Sequence, residues 1–305
     1  VPEGDSVYRA ARKLNTALAD HNLIATDFRL PKLAAADLTG QQIKEAVSRG
    51  KHILIRTTEG TSVRSHLKME GEWNLYRPGE KWRGGPAHWI RVVLQTEPWT
   101  AVGYRLAMVE IVPTAEEEKL VGHLGPDLLG PGWDIEEALR RIMRDPGLSI
   151  AEALLEQTNL AGIGNFFKNE VLFLKGIWPW TATGEVEDLR GVVELAQRLL
   201  KFSAEHGPEV TTGDLRKGRK SWVMERPGNP CFRCGTLIEV TRGGSGGVAA
   251  PYGSDSERQK LRSPRDNQGG PPERLTYWCP HCQPAPKAAV LLSGRAAGPR
   301  PADAK

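Results

Sequence analysis

The sequence predicts an α+β protein in three parts: a β-sandwich or barrel entered through one helix, an all-helical second domain, and a small module built on cysteines. Three observations carry this. Short β-prone runs crowd between Leu23 and Val112, helical spacing of apolar residues takes over after Trp133, and the four cysteines form two Cys-x2-Cys pairs. A chain of 305 residues has the length for two or three domains with at least one sizeable core.

The elements follow in order. From Asp5 to Asp20, Val7, Ala10, Ala11, Leu14 and Leu18 recur at helical spacing, with Gly4 or Asp5 as the cap. Next come the runs LIATDFRL, KHILIRT, TSVRSHL, WIRVVLQT and AVGYRLAMVEIV, punctuated by Arg49-Gly50, Glu59-Gly60 and a Pro/Gly-rich loop over 77–86. These make a first domain over 1–113. An acidic run, Glu116 to Glu118, and the stretch GPDLLGPG mark a linker at 114–132. Asp134 then caps IEEALRRIMRD, and Ser149 with Glu152 forms a capping box ahead of Leu154 and Leu155. Further helices are predicted over 165–175, stopped by Gly176, and 187–205, stopped by Gly207. This second domain spans 133–225 and ends on a basic loop with Arg216, Lys217, Arg219 and Lys220. The last stretch, 284–305, is rich in Ala, Pro and Gly and is expected to be a disordered tail.

Composition narrows the class of function. Gly and Pro together make up about 18 % of the chain, rich in turns but short of low complexity. The 41 basic and 37 acidic residues leave +4, a slight tilt toward polyanions. No run approaches the roughly 18 apolar residues of a membrane helix. VPEGDSVYRA lacks the basic and apolar regions of a signal peptide, so a cytoplasmic protein without membrane association is expected.

In a reducing compartment, paired cysteines favour metal ligation over disulfides. Cys231, Cys234, Cys279 and Cys282 are expected to place four thiolates around one structural Zn2+ in a module over 226–283. Forty-four residues separate Cys234 from Cys279, far more than the roughly 15 to 20 of an ordinary zinc ribbon. Much of that gap, about 242–272, is Gly, Ser, Pro and charge, and reads as an insertion at the tip of a hairpin formed by TLIEVT and RLTYWC. Between Arg226 and Cys282 basic residues outnumber acidic ones, which suits either phosphate contact or a solvated loop.

Several motifs occur together: PEGD at the start, GKHILI around Lys51, SHLKMEG from Ser65, GPDLL from Gly125, LLEQTNLAGIGNFFKNE from Leu154, then CFRCG and LTYWCPHCQ. In this order they resemble the formamidopyrimidine-DNA glycosylase/endonuclease VIII family of base-excision repair enzymes, over nearly all of Pro2 to Gln283. PEGDSVY and GPDLL are closer to the endonuclease VIII branch. The resemblance implies an N-terminal β-sandwich with its leading helix, a helix-two-turn-helix domain and a C-terminal zinc finger, with double-stranded DNA held in the cleft between. One chain suffices to clamp one lesion, so a monomer is expected.

The resemblance also implies residue roles. Family members begin with proline once the initiator is removed. Val1 is expected to record a GUG start, cleaved to free Pro2. The freed amine titrates near pH 8 and is a competent nucleophile, which lysine at about 10.4 is not. Glu3 is the implied general acid, and Lys51 is implied to bind the phosphate at the lesion and assist catalysis; read alone, a lysine opening a strand is solvated. Met69 matches the wedge that fills the stack when a nucleotide is flipped out, and His66 a phosphate contact; alone, the first reads as core and the second as structural. Asn165, at a helix start after Gly162 and Gly164, and Arg274 of the zinc finger are implied phosphate ligands. Glu170 reads as structural. The chain departs from the family at Val223-Met224-Glu225-Arg226, where Val-Tyr-Gly-Arg is common, losing a phosphate contact and adding an unfavourable charge.

The implied function is a DNA glycosylase with abasic-site lyase activity, acting by β- then δ-elimination and preferring oxidised pyrimidines. A preference for oxidised purines is the alternative within the family. If Val1 stays attached, Pro2 is an amide and the chain is a non-catalytic damage-binding protein.

Overall fold

The computed structural model describes residues 2–241 and 275–286. The expected insertion over 242–272, Arg274 and the tail beyond 286 lie outside the described residues. The chain forms two compact units, one made by the chain up to Arg141 with Glu156–Gly164 and Ala196–Pro208, the other by Ile142–Leu155, Asn165–Leu195 and the chain from Glu209.

The first unit opens with α1 (Gly4–Leu18). Its N-cap is Glu3, ahead of both expected caps: the Ser6 hydroxyl accepts from the Glu3 N–H at 3.0 Å, and Val7 N–H reaches the Glu3 carbonyl at 3.0 Å. The helix therefore starts one residue earlier than its apolar spacing suggests. Eight strands follow: β1 (Ala25–Phe28), β2 (Ile43–Arg49), β3 (His52–Thr57), β4 (Thr61–His66), β5 (Glu72–Tyr76), β6 (Ile90–Gln95), β7 (Thr100–Tyr104) and β8 (Met108–Pro113). They pair antiparallel as β1-β6-β7-β5 and β2-β3-β4-β8. Ile43, Ile53, Ile55 and Val63 of one sheet meet Val92, Leu94 and Ala101 of the other in one core, with Val7, Leu14 and Leu18 of α1 packed into it. The β-sandwich with its leading helix is thus present.

Two strands escaped the sequence reading. β2 carries Lys44, Glu45 and Arg49, and β5 reads EWNLY; both are held by pairing with β3 and β7 more than by their own propensity. The run AVGYRLAMVEIV is two strands and not one, because Arg105 has φ +48° and breaks the extended backbone. Within the stretch expected as linker, Glu117 is buried, accepts from Ser62 and pairs with Arg56 at 2.7 Å, which drags its carboxyl below the ordinary range against the cost of burial. On the outer face of β3, Leu54 packs with Val121, Leu124 and Ala161. That small cluster brings the GPDLL and QTNLAGIGN segments to the turn that carries Lys51.

The helices are α2 (Glu118–Val121), α3 (Ile135–Ile142), α4 (Ile150–Leu155), α5 (Asn165–Lys175) and α6 (Leu189–His206). Asp134 Oδ1 accepts from the N–H groups of Glu136 and Glu137, and Ser149 bonds Glu152 at 2.5 Å, so both expected caps form. In the second unit, Phe173 of α5 packs with Val223, Cys231, Ile238, Val240, Tyr277 and Cys279. The expected hairpin is present as β9 (Glu239–Thr241) against β10 (Thr276–Trp278). No helix of the described residues is long and apolar enough to cross a membrane.

Candidate functional site

In the first unit three glycine-bearing segments meet. Gly4 N–H donates to the Gly162 carbonyl at 2.8 Å, and a Cβ on Gly4 would stand 2.8 Å from that oxygen. The side chain of Glu3, 2 % exposed, lies on Gly164, where a Cβ would come within 2.3 Å of its Cδ and 2.5 Å of its Oε1. Gly162 has φ +101°, a conformation other residues rarely adopt. Gln157 closes this loop, donating to Ile163 O at 3.0 Å and accepting from Gly162 N–H at 3.2 Å. Close approach and backbone chirality together require glycine here. The Glu3 carboxyl is thereby fixed on Gly164, and Glu3 directly follows half-buried Pro2 in the chain.

Lys51 sits in the turn between β2 and β3, after Gly50 at φ +57°, and not within the strand. Gly50 N–H donates to Asp127 Oδ2 at 2.6 Å, and Asp127 Oδ1 accepts from Leu129 N–H at 3.0 Å. Flanking Asp127, Ala161 N–H donates to Pro126 O at 2.9 Å and Leu128 N–H to Ala161 O at 3.2 Å. Burial pushes the Asp127 carboxyl up, opposed by the N–H groups of Gly50 and Leu129 and by Arg49. Asp127 therefore ties the Lys51 turn to the Gly162 loop. Sequence reasoning quoted GPDLL without giving its aspartate a role; the signal was an acid placed among apolar residues between two glycine turns.

His66 ends β4 opposite His52, with ring centroids 4.7 Å apart. Its Nδ1 accepts from Lys68 N–H at 2.9 Å, which leaves the ring proton on Nε2, where it can be donated. Burial first, then Lys68, Lys51 and Arg64, push the His66 pKa down to about 4; burial, His66, Arg64, His123 and Lys68 push His52 down to about 3. Both imidazoles are neutral at pH 7. Met69 is 64 % exposed at the tip of the following turn, so it is not a core residue.

In the second unit, Asn165 opens α5, donates from Nδ2 to Leu275 O at 2.8 Å, and keeps a buried Oδ1 with no partner among the described residues. Arg274 lies outside the described residues. Glu170 is fully buried and accepts from Trp222, Val223 and Met224 N–H at 2.8, 3.0 and 2.9 Å and from the Thr211 hydroxyl. Burial raises its carboxyl against the pull of those donors, and its structural reading fits this cradle. The same cradle shapes the Val223–Arg226 departure. Glu225 adopts φ +59°, which explains why glycine suits that position.

The sulfur atoms of Cys231, Cys234, Cys279 and Cys282 all lie within 4.8 Å of one another, with Cys231–Cys282 at 3.9 Å and Cys234–Cys279 at 3.4 Å. Tetrahedral zinc with sulfur at about 2.3 Å sets sulfurs roughly 3.8 Å apart, so the four can hold a metal ion. Hydrogen bonds from Thr236 pull the Cys234 thiol down to about 6, while burial pushes Cys279 and Cys282 up. Four thiols so close ionise together only around a cation.

A sandwich led by α1, with buried Glu3 directly after Pro2 in the chain, and a separate cluster of four cysteines agree with the fold that the sequence resemblance implies. The family model of the formamidopyrimidine-DNA glycosylase N-terminal domain matches residues 1–110. A Streptomyces coelicolor protein named probable endonuclease 8 2 is 45 % identical, covering 94 % of this chain and 96 % of the relative. A Mycolicibacterium smegmatis protein named DNA-(apurinic or apyrimidinic site) lyase Nei2 is 39 % identical, covering 93 % of this chain and 100 % of the relative. Formamidopyrimidine-DNA glycosylase of Lactococcus lactis, solved non-covalently bound to DNA containing an abasic site, shares the fold at a TM-score of 0.71 and 20 % identity, over 93 % of this chain and 100 % of that one. This chain belongs to the formamidopyrimidine-DNA glycosylase/endonuclease VIII family, in its endonuclease VIII branch.

Proposed function

We propose that this chain is a base-excision repair DNA glycosylase with abasic-site lyase activity, acting on oxidised pyrimidines in double-stranded DNA. The observation that carries the reading is the Glu3 carboxyl, buried against Gly164 and adjacent to Pro2. Desolvation suits a carboxyl that must deliver a proton, and Pro2, freed of residue 1, offers an amine that is partly neutral in the cell.

The steps follow from those two groups. The Pro2 nitrogen attacks C1′ of the flipped-out nucleotide, and the C1′–base bond breaks. Glu3 supplies the proton to the sugar ring oxygen or to the leaving base, the attacking nitrogen gives up its own proton to the other, and its lone pair closes an iminium with C1′ as the C1′–O4′ bond breaks. The iminium acidifies the C2′ proton, whose loss expels the 3′ phosphate; a second elimination expels the 5′ phosphate and leaves a one-nucleotide gap.

The other residues hold DNA. Lys51, fixed through Gly50 and Asp127, binds the phosphate at the lesion; His66 donates from Nε2 to another. Asn165 and Arg274 take further phosphates, and exposed Met69 fills the gap in the stack. A structural Zn2+ on Cys231, Cys234, Cys279 and Cys282 stands in for a hydrophobic core in the finger, and chelation is expected to weaken DNA binding more than chemistry. We place the enzyme in the cytoplasm, working as a monomer, with the sandwich over 1–113, the linker over 114–132, the helical domain over 133–225 and the finger over 226–283.

The test is borohydride trapping on abasic DNA. A covalent adduct that disappears when an extra residue blocks Pro2 supports the reading; no adduct with a free terminus overturns it. Side-by-side excision from duplexes carrying thymine glycol and 8-oxoguanine tests the lesion class, and preference for 8-oxoguanine reverses that assignment.

A further inference from the structure

The turn that carries Met69 is fastened on both sides. Gly71 N–H donates to Leu67 O at 2.8 Å, and Lys68 at φ +52° gives its N–H to His66. On the other side Glu70 Oε2 lies 2.9 Å from Arg105 Nη1. Arg105 is itself unusual. It has φ +48°, its N–H donates to Trp89 O at 2.7 Å, and its guanidinium carbon lies 3.4 Å from the centroid of the Trp89 ring. Gly85 packs against the same indole, where a Cβ would stand 2.2 Å from Cε3. Tyr76 Oη accepts from Arg83 and Gly84 N–H at 3.1 and 3.0 Å, anchoring the loop over 77–86 that supplies Gly85. A chain of contacts thus runs from this loop through Trp89 and Arg105 to Glu70, one residue from the exposed methionine.

We propose that Arg105, stacked on Trp89 and paired with Glu70, is a positioning residue that presets the Met69 turn for insertion into the DNA stack. This rests on the assignment of Met69 as the wedge. A wedge must act at the moment the stack opens, and a turn already held in place loses less conformational entropy on insertion than a free one. A positive φ at a non-glycine residue is the kind of local strain that persists where the surroundings enforce it. Planar stacking with sideways pairing is a task for guanidinium, whereas an ammonium would satisfy the charge alone.

The measurement is the ratio of single-turnover excision in duplex DNA, where a wedge is needed, to the same reaction in single strands, where none is. Glu70 is 68 % exposed, so Glu70→Gln folds normally and isolates the contact. Arg105→Gln and Glu70→Gln are each expected to lower the ratio about twofold to fivefold, the worth of an exposed ion pair or cation–π contact. The double variant should fall no further than the worse single one, because both remove one contact. Arg105→Lys should retain more than Arg105→Gln. 2-Aminopurine opposite the lesion should report less unstacking in the same order. If Met69→Ala leaves the ratio unchanged, the wedge assignment fails and this inference with it. If Met69→Ala lowers the ratio but Arg105→Gln and Glu70→Gln do not, or lower both reactions equally, only the role of Arg105 is overturned.

Discussion

A single methyl group on Gly164 tests the acid assignment most directly. In Gly164→Ala the new Cβ would stand 2.3 Å from Glu3 Cδ and 2.5 Å from Oε1. Ordinary carbon contact is near 3.5 Å, so the carboxyl must retreat by about 1 Å. It is the far end of a side chain and can move, which keeps the folding cost to the roughly 1–3 kcal/mol of a tight overpacking. Its catalytic position has less tolerance: a displacement of about 1 Å can cost on the order of 100-fold when a proton must be delivered along one line. Single-turnover excision from a thymine glycol duplex is expected to drop by that order. Borohydride trapping on a preformed abasic site, which needs Pro2 but no departing base, should be far less affected. Excision at the unaltered rate would refute the placement of Glu3 as acid against this glycine, and equal loss of both reactions would show that the methyl disrupts the site as a whole.

Other perturbations follow from the same geometry. Asp127→Asn turns one of two accepting oxygens into a donor facing an N–H, costing about 1–3 kcal/mol and loosening the Lys51 turn; weaker binding of abasic duplex, measured by anisotropy, is expected. Glu170→Gln likewise breaks a buried four-donor cradle and should lower the unfolding free energy by about 3 kcal/mol or more in equilibrium denaturation. His66 and His52, held near 4 and 3 when folded against about 6.5 unfolded, make the unfolded chain bind more protons between those values; stability falls as pH drops from about 6.5 toward 4, and His66→Ala should flatten the slope. Removing the metal with a chelator should release zinc in proportion to lost DNA affinity, and native mass spectrometry should count one ion per chain.

The parts of the fold that announce themselves are those whose signals are local. The bounds 165–175 were legible because an asparagine start, apolar spacing and Gly176 punctuate one helix, and the hairpin of β9 and β10 because both strands carry β-branched or aromatic residues beside the cysteines. β2 and β5 were not legible: their charged and polar residues acquire strand structure from the partners they pair with. Arg105 hid the break between β7 and β8, since nothing in an arginine announces a left-handed backbone. At the site, cysteine spacing and the GIGN glycines pointed to chemistry in advance, whereas Asp127 did not, because its role lies in joining segments far apart in the chain.

By itself the sequence determined the order of the parts, the two cysteine pairs and the short motifs that place this chain in its family, all of which depend on residue type and near-neighbour spacing. Only the tertiary structure decided that Glu3 is buried on Gly164, that the Lys51 turn hangs from Asp127, that His66 presents Nε2 and that the Met69 turn is tied through Glu70 to Arg105 and Trp89. The physical reason is that burial and hydrogen-bond partners are properties of surroundings: a carboxylate or imidazole takes its proton affinity and its aim from atoms that chain order does not place beside it.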